Sequence, residues 1–300
     1  PRRAPHPRGP YQARTVLARG RTAINGPHQG AWVETGRGED WFLHFQDRGV
    51  TGRVVHLQPM RWREDGWPVI GAAGASDTTG EPVLSAARPV TAESSRGPTV
   101  PTTDEFDSGR PGLQWQWNGN PQPTWLGVGP AGVLPLLAQP LVRPGTNLWH
   151  APHLLLQKFP AETFTVTTQV TARDGRIGDR AGLVVFGMDY AWIGVRRDTT
   201  GWSLVMAQCR DAERGQPEEV TVLARLAAPS VRLQVAVDSG GAVRFAHGAA
   251  DGALVPATGA TFQARAGRWV GAKVGLFAVT DSASGTTAGR RTACLLYTSD

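Results

Sequence analysis

Four short apolar runs separated by polar turns fill the stretch from Gly30 to Ile70, and their spacing constrains the fold more than any other feature of the chain. Ala31 to Thr35 is the first run and stops at Gly36-Arg37-Gly38. Trp41 to Gln46 alternates large apolar with polar side chains, the period of a half-buried strand. Asp47-Arg48-Gly49 makes the next turn, Arg53 to Met60 reads as a third strand, and Trp67 to Ile70 as a fourth after Asp65-Gly66. Four antiparallel strands in about 40 residues is the size of one propeller blade. A lone blade cannot bury both faces, because blades pack on neighbours around a common axis. The other blades are therefore expected upstream, with Tyr11 to Leu17 as the tail of the preceding one.

From Ala72 to Thr103 the sequence turns to Gly, Ala, Ser, Thr and Pro without an aromatic residue, which reads as a linker. Strands then return at Leu154 to Lys158, Phe164 to Ala172, Ala181 to Phe186, Tyr190 to Arg197, Trp202 to Gln208, Val231 to Val237 and Trp269 to Val279. On the second of these, Phe164, Val166, Thr168 and Val170 share one face and Thr165, Thr167 and Gln169 the other. Short strands with Gly, Asp and Pro turns and no convincing helix argue a β-sandwich. The expected division is residues 1–71 for the blade, 72–103 for the linker, 104–290 for the sandwich and 291–300 for a tail outside the fold.

That tail, containing Cys294-Leu295-Leu296-Tyr297-Thr298-Ser299, reads like a translated sequencing adaptor and is set apart as non-native. Residue 1 is a proline, and no charged-then-apolar leader follows it, so secretion is not legible. Without the tail only Cys209 remains, a small half-buried residue rather than a reactive thiol on this reading. The formal charge of +6 comes almost wholly from arginines spread along the chain, with Lys158 and Lys273 as the lysines. They form no basic run of the kind nucleic acid requires, and no apolar segment approaches the ~20 residues of a membrane span. Neither nucleic acid nor a membrane is an expected partner.

The runs Gly26-Pro27-His28-Gln29-Gly30-Ala31-Trp32-Val33, Trp41-Phe42-Leu43-His44-Phe45-Gln46 and Gly52-Arg53-Val54-Val55-His56-Leu57-Gln58-Pro59, followed by Trp62 and Trp67-Pro68-Val69-Ile70-Gly71, resemble glycoside hydrolase family 43. The likeness is to its β-xylosidases and α-L-arabinofuranosidases. A second block, from Asp104-Glu105-Phe106 through Gln114-Trp115-Gln116-Trp117-Asn118 to Gly275-Leu276-Phe277, resembles the concanavalin-like sandwich attached to many of those enzymes. The resemblance implies an all-β chain: the end of a five-bladed β-propeller followed by a jelly-roll sandwich. It also implies the C-terminal part of an exo-acting enzyme that cleaves xylan or arabinoxylan fragments with inversion, with xylo- or arabino-oligosaccharides as partners. The alternative is a non-catalytic carbohydrate-binding or structural module.

Inverting chemistry needs two carboxyl groups roughly 6.5 to 9.5 Å apart, and the resemblance places them, with a third that tunes the acid, on earlier blades. Glu34, Glu39, Asp40 and Asp47 sit at strand ends or turns, where a solvated carboxylate is the commoner explanation, so no catalytic residue is assigned. Substrate contacts fall instead on His28, Gln29, Trp32 and Arg53. By resemblance His28 matches the histidine at the base of the family's site, near a central cation or water, with Gly26 and Gly30 letting the backbone crowd inward; the bland alternative is a histidine bonded to a turn carbonyl. Arg53 matches the family's sugar-binding arginine, whose guanidinium offers a rigid fork of donors. Trp32, Trp41 and Phe45 could underlie a pyranose face, although period-two aromatics are more often core. Gln29, His44, His56 and Gln58 rank second. Trp115, Trp117, Trp125, Trp149, Trp192 and Trp202 are expected to be mostly sandwich core, with only exposed ones able to stack on sugar. Asp104, Glu105 and Asp107 form an acidic cluster that could hold a structural Ca²⁺, given further oxygen ligands. No other cofactor is expected.

Overall fold

The computed structural model describes residues 1–24, 28–76, 78–90, 101–141, 147–259, 261–281 and 293–298; for His28, Ala75 and 293–298 only the backbone is described. The chain divides into two compact units, one of Pro1–Arg48 with Arg53–Pro98, the other of Gly49–Gly52 with Thr99–Asp300.

In the first unit, β1 (Arg2–Arg3) pairs with β2 (Gln12–Ala13). Beside them stands a four-stranded antiparallel sheet of β3 (His28–Glu34), β4 (Asp40–Asp47), β5 (Arg53–Trp62) and β6 (Pro68–Ile70), in sequence order. The expected strands all form, each within a few residues of where alternation and turns place it. Register decides the faces: His28 lies opposite Phe45, Ala31 opposite Leu43, Trp32 opposite Phe42 and Arg53 opposite Asp47. Apolar side chains stand exposed on both faces, Val33, Val55 and Leu57 on one and Trp32, Val54 and Trp62 on the other. A sheet of this composition is made to be covered on both sides.

The Gly- and Ala-rich stretch after residue 71 departs from the linker expectation. It opens as a hairpin of β7 (Ala72–Ser76) and β8 (Thr79–Glu81). Small residues serve close packing there: a Cβ on Gly80 would overlap the carbonyl of Ile70. Glu81, 8 % exposed, closes the hairpin by accepting from Arg21 at 2.9 Å. Backbone crowding and flexibility favour the same residue types, so composition alone does not tell them apart.

The second unit runs through β9 (Gln116–Trp117), β10 (Leu134–Leu137), β11 (Gln139–Pro140), β12 (Leu155–Lys158), β13 (Phe164–Arg173), β14 (Asp179–Phe186), β15 (Tyr190–Asp198), β16 (Gly201–Cys209), β17 (Glu219–Leu226), β18 (Ser230–Val237), β19 (Ala242–Gly248), β20 (Val255–Pro256), β21 (Phe262–Gln263), β22 (Lys273–Thr280) and β23 (Ala293–Thr298). One sheet has the order β17-β16-β15-β14-β22-β12-β9, with β11 beside β22; the other has β10-β23-β13-β18-β19-β20, with β21 beside β19. Leu183, Ile193 and Leu276 from the first meet Val170, Leu233 and Val235 from the second in the main core. A second apolar layer, with Leu148, Leu154, Val184, Trp192 and Phe277, covers the outer face of the first sheet. Burial on both faces explains why β14 is buried along its whole length and reads from Ala181 to Phe186 as an unbroken apolar run rather than an alternation. On β13 the even-numbered residues from Thr168 to Ala172 are buried and the odd ones less so, as its period requires.

Three further departures have local causes. Trp269, expected to open the last core strand, has φ +65°, which no strand accommodates, so β22 starts at Lys273. The edge strand β17 is exposed or half-exposed throughout and carries little burial signal in its sequence. The stretch from Ala293, which sequence reasoning sets apart from the fold, is placed as β23 between β10 and β13, where its backbone pairs with both.

Candidate functional site

The first unit brings two of the four sequence-assigned contact residues together. Gln29 has φ +50° at the bulge between His28 and Ala31, a left-handed turn of the backbone that aims its amide off the strand's regular path. Gly30 is obligatory in the bulge, because a Cβ there would overlap the Phe42 ring and the Leu43 carbonyl. Across the sheet, Arg53 is half-buried; its Nη1 donates to Gln29 Oε1 at 3.4 Å, and its guanidinium carbon lies 4.3 Å from the centroid of the Phe45 ring. Phe45 is 9 % exposed, so it holds the guanidinium from beneath rather than offering a surface. Arg53 and the exposed Gln29 amide thus stand side by side as a small polar fork at the start of β3. The backbone of His28 begins the same strand opposite Phe45; its side chain lies outside the described residues, so the role assigned to it is not tested by geometry.

Trp32 is not part of that fork. Register puts it on the opposite face, where Nε1 donates to Asp40 at 2.6 Å and the ring meets Trp62 edge-on at 5.2 Å. It is 53 % exposed and borders a hollow of about 580 Å³ together with Phe42, Met60 and Trp62. Of the three aromatics considered as a platform, Trp32 alone is open; Trp41 and Phe45 are buried. His44, His56 and Gln58 share the Trp32 face and support the fold. The His44 and His56 rings stack at 5.3 Å, and His56 Nε2 meets Gln46 Oε1 at 3.1 Å. Burial, followed by Arg48, lowers the His56 pKa. The Gln58 amide accepts from Val83 N at 2.7 Å and donates to Val83 O at 3.3 Å, standing in for a strand partner. Glu39 accepts from Val90 N and Asp40 from Trp32, so both carboxylates have local structural work.

In the second unit, Trp192 is fully buried and donates to Glu218 at 3.0 Å, while Tyr190 OH donates to the same carboxylate oxygen at 2.7 Å. Arg180 pairs with the other oxygen, and the two side chains are 7 % and 9 % exposed. Burial and this carboxylate drive the Tyr190 pKa upward. Cys209 is buried and donates to the Gln216 carbonyl, and burial raises its pKa, in keeping with an unreactive thiol.

The acidic cluster is not built as a cation site. Asp104 Oδ1 accepts from Phe106 N at 2.9 Å, and Oδ2 accepts from Gly112 N at 2.8 Å and Trp115 Nε1 at 2.9 Å, while Glu105 and Asp107 stand exposed. Donors occupy the oxygens that calcium would need. Among the described residues no group of three His, Cys, Asp or Glu side chains is arranged to hold a metal. The feature that sequence reasoning missed is the Arg53–Phe45 stack, which only cross-strand register creates.

The sheet order and the two apolar layers define an all-β sandwich following a small antiparallel sheet, and the comparisons assign both parts. Residues 103–289 match the beta xylosidase C-terminal Concanavalin A-like domain, and residues 2–68 match the glycosyl hydrolases family 43. The chain belongs to this glycosyl hydrolase family 43 group. A curated protein of Xylanibacter ruminicola is 41% identical over 192 residues, 63% of this chain and 35% of that protein. A beta-xylosidase of Formosa agariphila is 29% identical over 297 residues, 91% of this chain and 48% of that protein. The chain thus spans between a third and a half of these relatives. Among solved structures, a xylan beta-1,4-xylosidase from Bacillus halodurans superposes with a TM-score of 0.76 at 20% identity, over 100% of this chain and 59% of that one, a likeness of fold.

Proposed function

We propose that the whole protein is an exo-acting glycosidase that removes xylose or arabinofuranose units from xylan or arabinoxylan fragments with inversion, and that its catalytic domain is a five-bladed propeller. What carries the reading is two family matches in one order on one chain, with Arg53 and Gln29 held side by side at the start of the strand that opens with His28. In this reading Arg53 and Gln29 bind sugar hydroxyls, His28 orients a water at the pocket base, and Trp32 offers an apolar contact from its own face of the sheet. The acid and base carboxylates come from outside the present residues. Asp40 and Glu39 are engaged locally, and acid and base assistance, worth typically about 10² to 10⁴-fold, needs carboxyls free to exchange protons.

Three measurements test this. In the full-length enzyme, Arg53→Ala should lower kcat/KM on an aryl xyloside or arabinofuranoside by about 10-fold or more, the worth of a charge-assisted hydrogen bond, with unchanged circular dichroism. Unaltered kinetics on both substrates would return Arg53 to the surface. The 300-residue chain by itself should release no p-nitrophenol from either substrate, and steady release would place the carboxylates within it. Proton NMR of the first sugar anomer formed reads the stereochemistry directly.

A further inference from the structure

Of the 31 Lys and Arg residues in the chain, two are lysines, and the sandwich sets them face to face. β12 and β22 pair Lys158 directly with Lys273 across one ladder. Across the other ladder of β22, Lys273 lies opposite Phe186 of β14. Paired residues project to the same face of a sheet, as do residues two apart on one strand. On its own face Lys273 is therefore bordered by Lys158 and Leu156 on β12, Phe186 and Val184 on β14, and Gly275 on β22. None of these offers a carboxylate, and among the described residues neither ammonium takes part in an ion pair or a hydrogen bond.

Like charges directly opposite one another on a ladder repel. On the far side stands an apolar ring, 7 % exposed, so Lys273 has no acceptor there either. Lys273 is half-buried and Lys158 exposed. Burial, followed by the Lys158 charge, lowers the Lys273 pKa. An arginine at this position would keep its proton at any working pH, whereas a lysine relieves the conflict by releasing one. The proton that leaves uncovers the Nζ lone pair, and a lysine set beside a second cation in partly apolar surroundings is activated as a nucleophile. Cys209, by contrast, is buried with its thiol committed to the Gln216 carbonyl.

We infer that Lys273 is a site of covalent modification by the open-chain aldehyde of a reducing sugar, an aldopentose in particular, with Lys158 as the neighbour that promotes the reaction. The choice of a pentose rests on the proposed function, in which free pentose is the product; the site itself rests on the lysine pair. The Nζ lone pair adds to the aldehyde carbon, the carbonyl oxygen leaves as water with both amine protons, and a C=N bond replaces the C=O bond. Isomerisation then moves the C2 hydrogen to C1 and the C2 hydroxyl proton to nitrogen, leaving a C2 ketone and a secondary amine without any oxidant or reductant.

Incubation of the 300-residue chain with xylose and sodium cyanoborohydride tests the assignment. The reagent traps the imine by delivering hydride to the former aldehyde carbon, and mass spectrometry of chymotryptic peptides reads each lysine separately. At pH 7.5 Lys273 should gain the pentose several-fold faster than the more exposed Lys158, the reverse of what accessibility alone gives. Lys158→Gln should slow labelling of Lys273 about threefold, the worth of one nearby charge in largely aqueous surroundings. It should also move the pH profile of labelling upwards, measured against acetyl-lysine in the same mixture, with circular dichroism unchanged. Equal or faster labelling of Lys158 overturns the proposal, as does a Lys158→Gln profile that coincides with wild type. Labelling of Lys273 by propanal but not by xylose overturns the assignment to a sugar. The mass gain is read without a hydrolytic assay, so its failure is told apart from failure of the glycosidase reading.

Discussion

Acid should destabilise the sandwich through one histidine. His153 is 4 % exposed, its ring meets Trp125 edge-on at 5.9 Å, and burial alone lowers its pKa from 6.5 to about 4. The folded chain therefore keeps the ring neutral where the unfolded chain already protonates it. Above pH 6.5 both states are neutral and His153 contributes no pH dependence. As pH falls from 6.5 towards 4 the unfolded state takes up a proton that the folded state refuses, so stability is lost across that window and levels off below it. Each pH unit of the gap is worth about 1.4 kcal/mol, which makes the whole loss roughly 3 kcal/mol, a large share of a domain's usual 5 to 15. His153→Phe keeps an aromatic ring against Trp125 and removes the proton site. Urea unfolding followed by tryptophan fluorescence at half-unit steps from pH 7.5 to 4 should show the two proteins diverging, with wild type losing about 3 kcal/mol more than the variant. Carboxylates elsewhere titrate equally in both and cancel in the difference. Parallel stability curves would refute the reasoning, because they would mean that the ring is hydrated or paired in solution.

Glu218→Ala should cost about 3 to 5 kcal/mol in the same urea assay, since it leaves the buried Arg180 guanidinium with Asp281 as its remaining carboxylate and removes the acceptor of Tyr190 and Trp192; a loss under 1 kcal/mol would mean that water replaces the carboxylate. Gly30→Ala should destabilise the β3–β4 hairpin by about 1 to 3 kcal/mol, because the new methyl overlaps Phe42 and the Leu43 carbonyl. Hydrogen exchange along residues 31–46 reads that effect, and unchanged protection would show the bulge to be compliant.

Local sequence determined the strands of the four-stranded sheet in the first unit and most of the long strands of the sandwich. Alternation in Trp41 to Gln46 and the Asp-Gly and Gly-Arg-Gly turns depend on residues only a few positions apart, and β4, β5 and β6 form where those signals lie. The family, too, was legible from runs such as Gly26 to Val33 and Gln114 to Asn118, because such motifs are contiguous. Contacts set by register were not. Whether Trp32 shares a face with Arg53 depends on a bulge between His28 and Ala31, and that one extra residue sends the ring to the other side of the sheet. The Gly-Ala stretch after residue 71 likewise needed the Ile70 carbonyl in place before crowding could be told from flexibility. Six tryptophans in the sandwich look alike in sequence, yet Trp192 is sealed beneath an outer apolar layer while Trp115 and Trp117 line an open groove. Burial is a property of what packs against a side chain from distant parts of the chain, so only the tertiary structure decides it.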